Sequence, residues 1–472
     1  MTIKATYTGL YSQQQFLQQF DFLSAGPTLI ADQTHNQIKI SDPDNPKNLI
    51  LLNTEDLVVA NGMITSGTVT EIHIKINNKD GLTITGLQAD ASLLMTAADF
   101  GVVGLYHYLS DALTGRIIET GDKYDNLLEI GQGGKATVSA GGGNDEIHIW
   151  HQKDADIDGG QGRDTIDFNQ YAGASDLPPT GAVVDLAAGT GANPYSGTLA
   201  IKNIENITGQ YSTANDIRGD ATNNVLTGGS VADTLMGRGG DDVIHVKYNF
   251  SQNPRATLAD GGADNDTLLV ELSVNAPFTG TGFDRTYNNT LDLLHPANNT
   301  GSFNGGSFKN FETIRADSFG GSALLFDFHG SDGVDRVYGA GAGDTIEGRG
   351  GDDLLAGLAK GDILTGGAGA DHFLLLNTTD SMVDDRDTIT DFSHKQHDKI
   401  DIHAIDANDN KKGNQDFDFT GTKKFDGHAG EVYFQQKNGD TLVFADTNGD
   451  KTADFVLLLD QGPKLEEGDF VL

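Results

Sequence analysis

Between Gly330 and Leu374 an apolar residue returns at every ninth position: Val337, Ile346, Leu355, Leu364 and Phe373. The residues around each are small or polar. The five unbroken rows read GSDGVDRVY, GAGAGDTIE, GRGGDDLLA, GLAKGDILT and GGAGADHFL. Such a period predicts one repeated unit, with six residues of tight turn and three of short strand, the apolar side chain pointing inward. Glycine in the turn supplies backbone angles that other residues avoid. One row is a turn plus a strand, so two rows complete one coil. The fold class is mainly β, a parallel β-roll.

The same pattern occurs upstream in broken form. AGGGNDEIH (140–148) and GGQGRDTID (159–167) are good rows, and a degenerate one holds Asp122 to Asn126. The segment between the two good rows has one extra residue, which puts either Asp154 or Ala155 at the sixth position and predicts a bulge. A second run from Gln210 to His245 reads QYSTANDIR, GDATNNVLT, GGSVADTLM and GRGGDDVIH, and GGADNDTLL (261–269) opens a third. A longer repeat lies over these. AVVDL (182–186) and NIENI (203–207) precede one roll, and NTLDL (289–293) and NFETI (310–314) precede another. The chain reads as a tandem duplication of row, spacer and roll, with the spacers (about 168–209 and 270–329) adding strands to the solenoid.

Residues 1–120 contain no row. Helical spacing of Phe16, Phe20 and Leu23 predicts a helix over Gln13 to Leu23, and Asp90 to Leu113 is apolar with helix formers. Thr68 to Ile76 alternates as a strand, Asn77 to Gly81 turns, and Leu82 to Thr85 returns as a hairpin partner. Four regions are expected: a small α+β domain over 1–120, a first roll region with its spacer over 121–270, a second spacer and the five-row roll over 271–379, and a β-rich cap over 380–472.

The sixth position of the rows carries the chemistry. It is Asp335, Asp344, Asp353, Asp362 and Asp371 in the unbroken run, and Asp145, Asp164, Asn215, Asn224, Asp233, Asp242 and Asp266 upstream. Residues 18 apart stack on one edge of the roll, Asp335 over Asp353 and Asp344 over Asp362. With turn carbonyls such as those of Gly330, Gly339, Gly348, Gly350, Gly357 and Gly366 they predict all-oxygen cages suited to calcium ions. Magnesium demands tighter octahedral geometry, and transition metals prefer Cys or clustered His. Asn215 and Asn224 offer an uncharged oxygen, so their sites are expected to be weaker. Asp446, Asn448, Asp450 and Asp454 also have calcium-loop spacing, with a tight β-hairpin as the alternative.

Composition narrows the function. Acidic residues number 68 against 31 basic ones, a net charge of -37, which argues against nucleic acid and anionic membranes as partners. Without cations the acidic edges repel; calcium at ten times its Kd adds about 1.4 kcal/mol per site. Cys is absent, so disulfide and thiol chemistry are excluded. MTIKATYTGLYSQQQF lacks a signal-peptide pattern, and no apolar run reaches the roughly 18 residues of a membrane helix. Neither H-E-x-x-H nor G-x-S-x-G occurs, and His148 and His151, though close, are expected to be ordinary surface residues.

In order, DTITDF (387–392), DKIDI (398–402), AIDAN (404–408), GHAGEVYF (427–434), DTNGDKTADF (446–455) and Asp469-Phe470-Val471-Leu472 resemble the C-terminal domain of serralysin-type metalloproteases. Similar ends occur on other RTX (repeats-in-toxin) proteins, including alginate epimerase modules. The resemblance covers roughly 330–472 well. It implies a calcium-binding roll with a β-rich cap and export by a type I ABC transporter, directed by an uncleaved C-terminal signal. The leading expectation is a secreted, non-enzymatic calcium-binding component of a matrix, S-layer-like or adhesive kind. Its folding, and in one version its self-association or attachment to cell-surface polysaccharide, is triggered by calcium. The alternatives are an extracellular polysaccharide-modifying enzyme and a host-interaction effector.

Overall fold

The computed structural model describes residues 2–7, 28–32, 35–41, 47, 49–60, 63–76, 79–90, 116–130, 135–149, 154–169, 180–194, 197–249, 256–273, 289–300, 303, 305–319 and 326–472. Among these there is no α-helix; strands and turns account for nearly everything. The helix expected over Gln13 to Leu23 lies outside the described residues. So does 91–113 of the second expected helix, and Asp90 ends a strand. The chain folds as two compact units, Met1–Asp220 and Ala221–Leu472.

In the first unit an antiparallel meander runs through Thr28–Asp32, Gln37–Ser41, Leu49–Ala60, Met63–Ile76 and Lys79–Asp90. The expected hairpin is part of it, with Ile76 opposite Lys79. Lys79–Asp90 also pairs with Thr2–Tyr7, which lies parallel to Arg116–Thr120, and that strand pairs with Ala136–Gly142 of the first good coil. The meander and the roll therefore share a sheet. On the opposing sheet Leu127–Ile130, Glu146–Ile149, Thr165–Asp167 and Asn206–Thr208 are all parallel. Leu128, Ile147, Ile166 and Ile207 are in register there and fully buried. The first spacer contributes Val183–Asp185, Thr190–Ala192 and Thr198–Lys202 to the first sheet.

The second unit has one long parallel ladder. Leu226, Ile244, Leu268, Ile314, Val337, Leu355, Phe373, Ile400 and Phe470 stand in register across nine strands, each buried. A facing sheet stacks Leu291, Phe328, Ile346, Leu364, Ile389 and Leu459 in the same way. Two of its strands, Asn289–Asp292 and Phe326–His329, come from the second spacer. The sheet then becomes antiparallel through Phe455–Leu459, Asp440–Asp446 and Glu431–Lys437. Burying such a column supplies the hydrophobic stabilisation, since each row alone has no core.

Candidate metal sites on the edges of the roll

The sixth-position residues stack as expected, and a hydrogen-bond ladder ties them. The Asp335 N–H donates to Asp353 Oδ1 (2.8 Å), Asp344 to Asp362 (2.6 Å) and Asp353 to Asp371 (3.0 Å). The ladder extends beyond the rows to Asp387 and Asp398, which accept from Asp362 and Asp371. In the first unit Asn126 donates to Asp145 and Asp145 to Asp164; in the second, Asn224 donates to Asp242 and Asp242 to Asp266. Fifth-position side chains form a second ladder in the opposite sense. Asp125 accepts from Asn144, Asn144 from Arg163, Asp241 from Asn265 and Asp352 from Ala370.

Two kinds of turn carry these residues. In the rows of Asp145, Asp164, Asp266, Asp353, Asp362 and Asp371 the second and fourth positions are left-handed. Those positions are Gly141 and Gly143, Gly160 and Gly162, Gly262 and Asp264, Arg349 and Gly351, Leu358 and Lys360, and Gly367 and Gly369. In all six rows the Asp Oδ2 is buried without a hydrogen-bond partner. We term these rows open; the row of Asp242 has the same turn, with Arg238 and Gly240 left-handed. In the rows of Asp233, Asp335 and Asp344 neither position is left-handed, and the second residue's N–H donates to the row's own Oδ2: Gly229 at 2.9 Å, Ser331 at 2.7 Å, Ala340 at 2.6 Å. These rows are closed. Asn215 accepts from the N–H groups of Gln210 and of Ala182 on the spacer, and donates to the Gln210 and Thr213 carbonyls.

The row-opening glycines correct the sequence expectation. Gly330, Gly339, Gly348, Gly357 and Gly366 do not have left-handed angles. They are required for space. A Cβ on Gly348 would stand 2.2 Å from Asp353 Oδ2 and 2.7 Å from the Gly366 carbonyl oxygen. The carbonyls of Gly348, Gly357 and Gly366 thus lie against the turn before them. The carbonyl of Gly330 accepts from Arg349, whose guanidinium also grips buried Asp292 at 2.8 and 2.9 Å. Gly350 has room around it.

Burial sets the electrostatics. It pushes Asp145, Asp344 and Asp353 up to about 7, and Asp266, Asp335 and Asp371 up to about 6. Burial and then the charge of Asp387 push Asp362 up to about 10, and Asp387 itself reaches about 8. A buried, stacked carboxylate with an orphaned oxygen resists ionisation unless a cation sits beside it. The donor set is oxygen only, which fits a hard cation of calcium type.

The loop from Asp446 to Asp454 joins two antiparallel strands. Asp446 accepts from the N–H groups of Asn448, Gly449 and Lys451, and Asp454 from Thr447 and Asn448. Asn448 Oδ1 accepts from Asp450, and Asp450 Oδ1 from Thr452. Near His148, Glu146 lies at 2.7 Å and Asp167 at 4.0 Å on an outer strand face; His151 lies outside the described residues. Asp154 accepts from the N–H and hydroxyl of Thr198 and is outside the ladder.

Against protein families, the model for the Peptidase M10 serralysin C terminal matches residues 156–472. The chain belongs to this family. The serralysin C-terminal match thus takes in the open rows of Asp164, Asp266, Asp353, Asp362 and Asp371 and leaves that of Asp145 upstream. No curated protein matches the chain. Among solved structures, the AlgE6R3 subunit of the Azotobacter vinelandii mannuronan C5-epimerase aligns with a TM-score of 0.24 and 25% identity, covering 32% of this chain and 81% of that one. No helix among the described residues is long and apolar enough to cross a membrane.

Proposed function

We propose that this serralysin C-terminal-type chain is a secreted calcium-binding structural protein, exported by a type I transporter and folded outside the cell by calcium. The observation that carries the reading is the set of six open rows, each with a buried carboxylate oxygen that has no hydrogen-bond partner. A calcium ion beside each satisfies that oxygen and neutralises the edge. The closed rows of Asp233 and Asp344 have no such need, whereas Asp335 keeps a buried Oδ1 without a hydrogen-bond partner and still calls for a cation. A structural rather than catalytic role follows from the use of these carboxylates in the ladder itself. Residues 1–120 and the outer strand faces then supply the surfaces for attachment or self-association.

The test is a calcium titration of the EDTA-treated protein, following circular dichroism and light scattering together. Cooperative gain of β signal near millimolar calcium is expected, with scattering rising if the folded chains assemble. Magnesium at the same concentration is expected to do little. Absence of any calcium response would overturn the reading.

A further inference from the structure

The two spacers rejoin the roll through the same short sequence, Lys-Asn-x-Glu: Lys202 to Glu205 and Lys309 to Glu312. The geometry is the same at both. Lys202 is in register with Asp158, and Asn206 with Thr165, so three residues (203–205) stand beside six (159–164). Lys309 is in register with Asp260, and Thr313 with Thr267, so 310–312 stand beside 261–266. The abbreviated turn is made by a left-handed Asn, Asn203 (φ 51°) or Asn310 (φ 55°). Its side chain donates to the preceding Asp158 or Asp260 at 2.7 Å, and those carboxylates also pair with the Lys.

The glutamate then takes the place that a row gives to Asp. Glu205 Oε2 accepts from the Asp164 N–H at 2.8 Å, and Glu312 Oε2 from the Asp266 N–H at 2.7 Å. The extra methylene compensates for the shorter turn. Both partners belong to open rows. Asp164 and Asp266 are 0% and 1% exposed, and Oδ2 of each is without a hydrogen-bond partner. That oxygen converges with a carbonyl from the abbreviated turn. Asp164 Oδ2 and the Asn203 carbonyl oxygen lie 2.5 and 2.0 Å from the point where Gly159 would carry a Cβ. Asp266 Oδ2 and the Asn310 carbonyl oxygen lie 2.6 and 2.1 Å from the same point on Gly261.

We propose that Glu205 and Glu312 are calcium ligands, closing with Asp164 and Asp266 two cation sites at the places where the spacers rejoin the roll. This rests on the calcium reading above. Each site offers two carboxylates and a backbone carbonyl, an all-oxygen set with the charge to hold calcium. The spacers can then be inserted without breaking the line of ions along the edge.

The test uses the full chain and calcium itself. Calorimetric stoichiometry is compared for the wild type, Glu205→Gln, Glu312→Gln and the double variant. Gln keeps an acceptor for the Asp N–H but loses the charge, so a merely structural glutamate leaves the ion count unchanged. The expected result is one ion fewer for each single variant and two fewer for the double, with wild-type circular dichroism at saturating calcium. An unchanged count and affinity overturns the proposal while leaving the row sites in place. A wild type that takes up no calcium overturns the functional reading itself. Should a variant not fold, terbium-soaked wild-type crystals decide: anomalous peaks are expected between Asp164 and Glu205 and between Asp266 and Glu312. Peaks confined to the other rows overturn it.

Discussion

Gly348 and Gly239 differ by their surroundings, not by residue type. A methyl group on Gly348 would overlap Asp353 Oδ2, whereas nothing lies within 4 Å of the same position on Gly239. Gly348→Ala is therefore expected to cost about 1–3 kcal/mol through overpacking and to weaken calcium uptake at Asp353. Gly239 has no left-handed angle, so Gly239→Ala is expected to be neutral or to stabilise by about 0.4–1 kcal/mol. Urea unfolding of the two variants at saturating calcium checks both. The Asp carboxyls make a prediction of opposite sign to ordinary acid denaturation. Burial first, and neighbouring charge after it, hold Asp353 near 7 and Asp266 near 6, above the ordinary value of about 4. The folded chain thus binds protons that the unfolded chain has released. In calcium-free buffer their contribution to stability is greatest below about pH 4 and declines as pH rises through the window from about 4 to 7. Circular dichroism with chelator is expected to show more β signal at pH 5 than at pH 8. With saturating calcium the order is expected to reverse, because protons compete with the metal.

Among the elements, the strand Phe470–Val471 shows how a short segment becomes a rung of the roll. It pairs in parallel with Lys399–Asp401, and Phe470 stacks under Ile400 and packs on Phe419 at 5.2 Å between ring centres. Asp469 holds the turn before it, accepting from Glu466 and bonding His394 at 2.6 Å. Removing the ring in Phe470→Ala is expected to cost about 3–5 kcal/mol. The check is the calcium midpoint for β-signal gain, which is expected to move to higher concentration with little change in ion count.

At the scale of the whole molecule, charge and topology act together. A chain with a net charge of -37 stacks carboxylates along its edges, so compaction without cations works against Coulomb repulsion. The hydrophobic columns and the two hydrogen-bond ladders offset part of this. Two devices also satisfy buried carboxylates locally. Closed rows turn their own N–H groups onto the carboxylate, and Arg349 places a guanidinium on Asp292 and the Gly330 carbonyl. On the proposed calcium reading, demand for the ion is therefore uneven along the roll and greatest where a buried carboxylate oxygen has no hydrogen-bond partner.

The nine-residue count by itself determined the parallel roll, the inward column from Val337 to Phe373 and the stacking of Asp335 over Asp353, because these depend only on a local period. The hairpin partner of Thr68 to Ile76 was legible in the same way. Tertiary structure decided the rest. Glu205 and Glu312 enter the ladder 41 and 46 residues after their partners, a distance over which no period counts. Asp387 and Asp398 join it outside the rows for the same reason. Whether a turn is open or closed was also beyond the row motif. Lys360 and Leu358 take left-handed angles that Ser331 and Gly333 do not, although glycine is the residue suited to them. The backbone there follows the coil it is stacked on, and that neighbour is fixed only when the chain has folded.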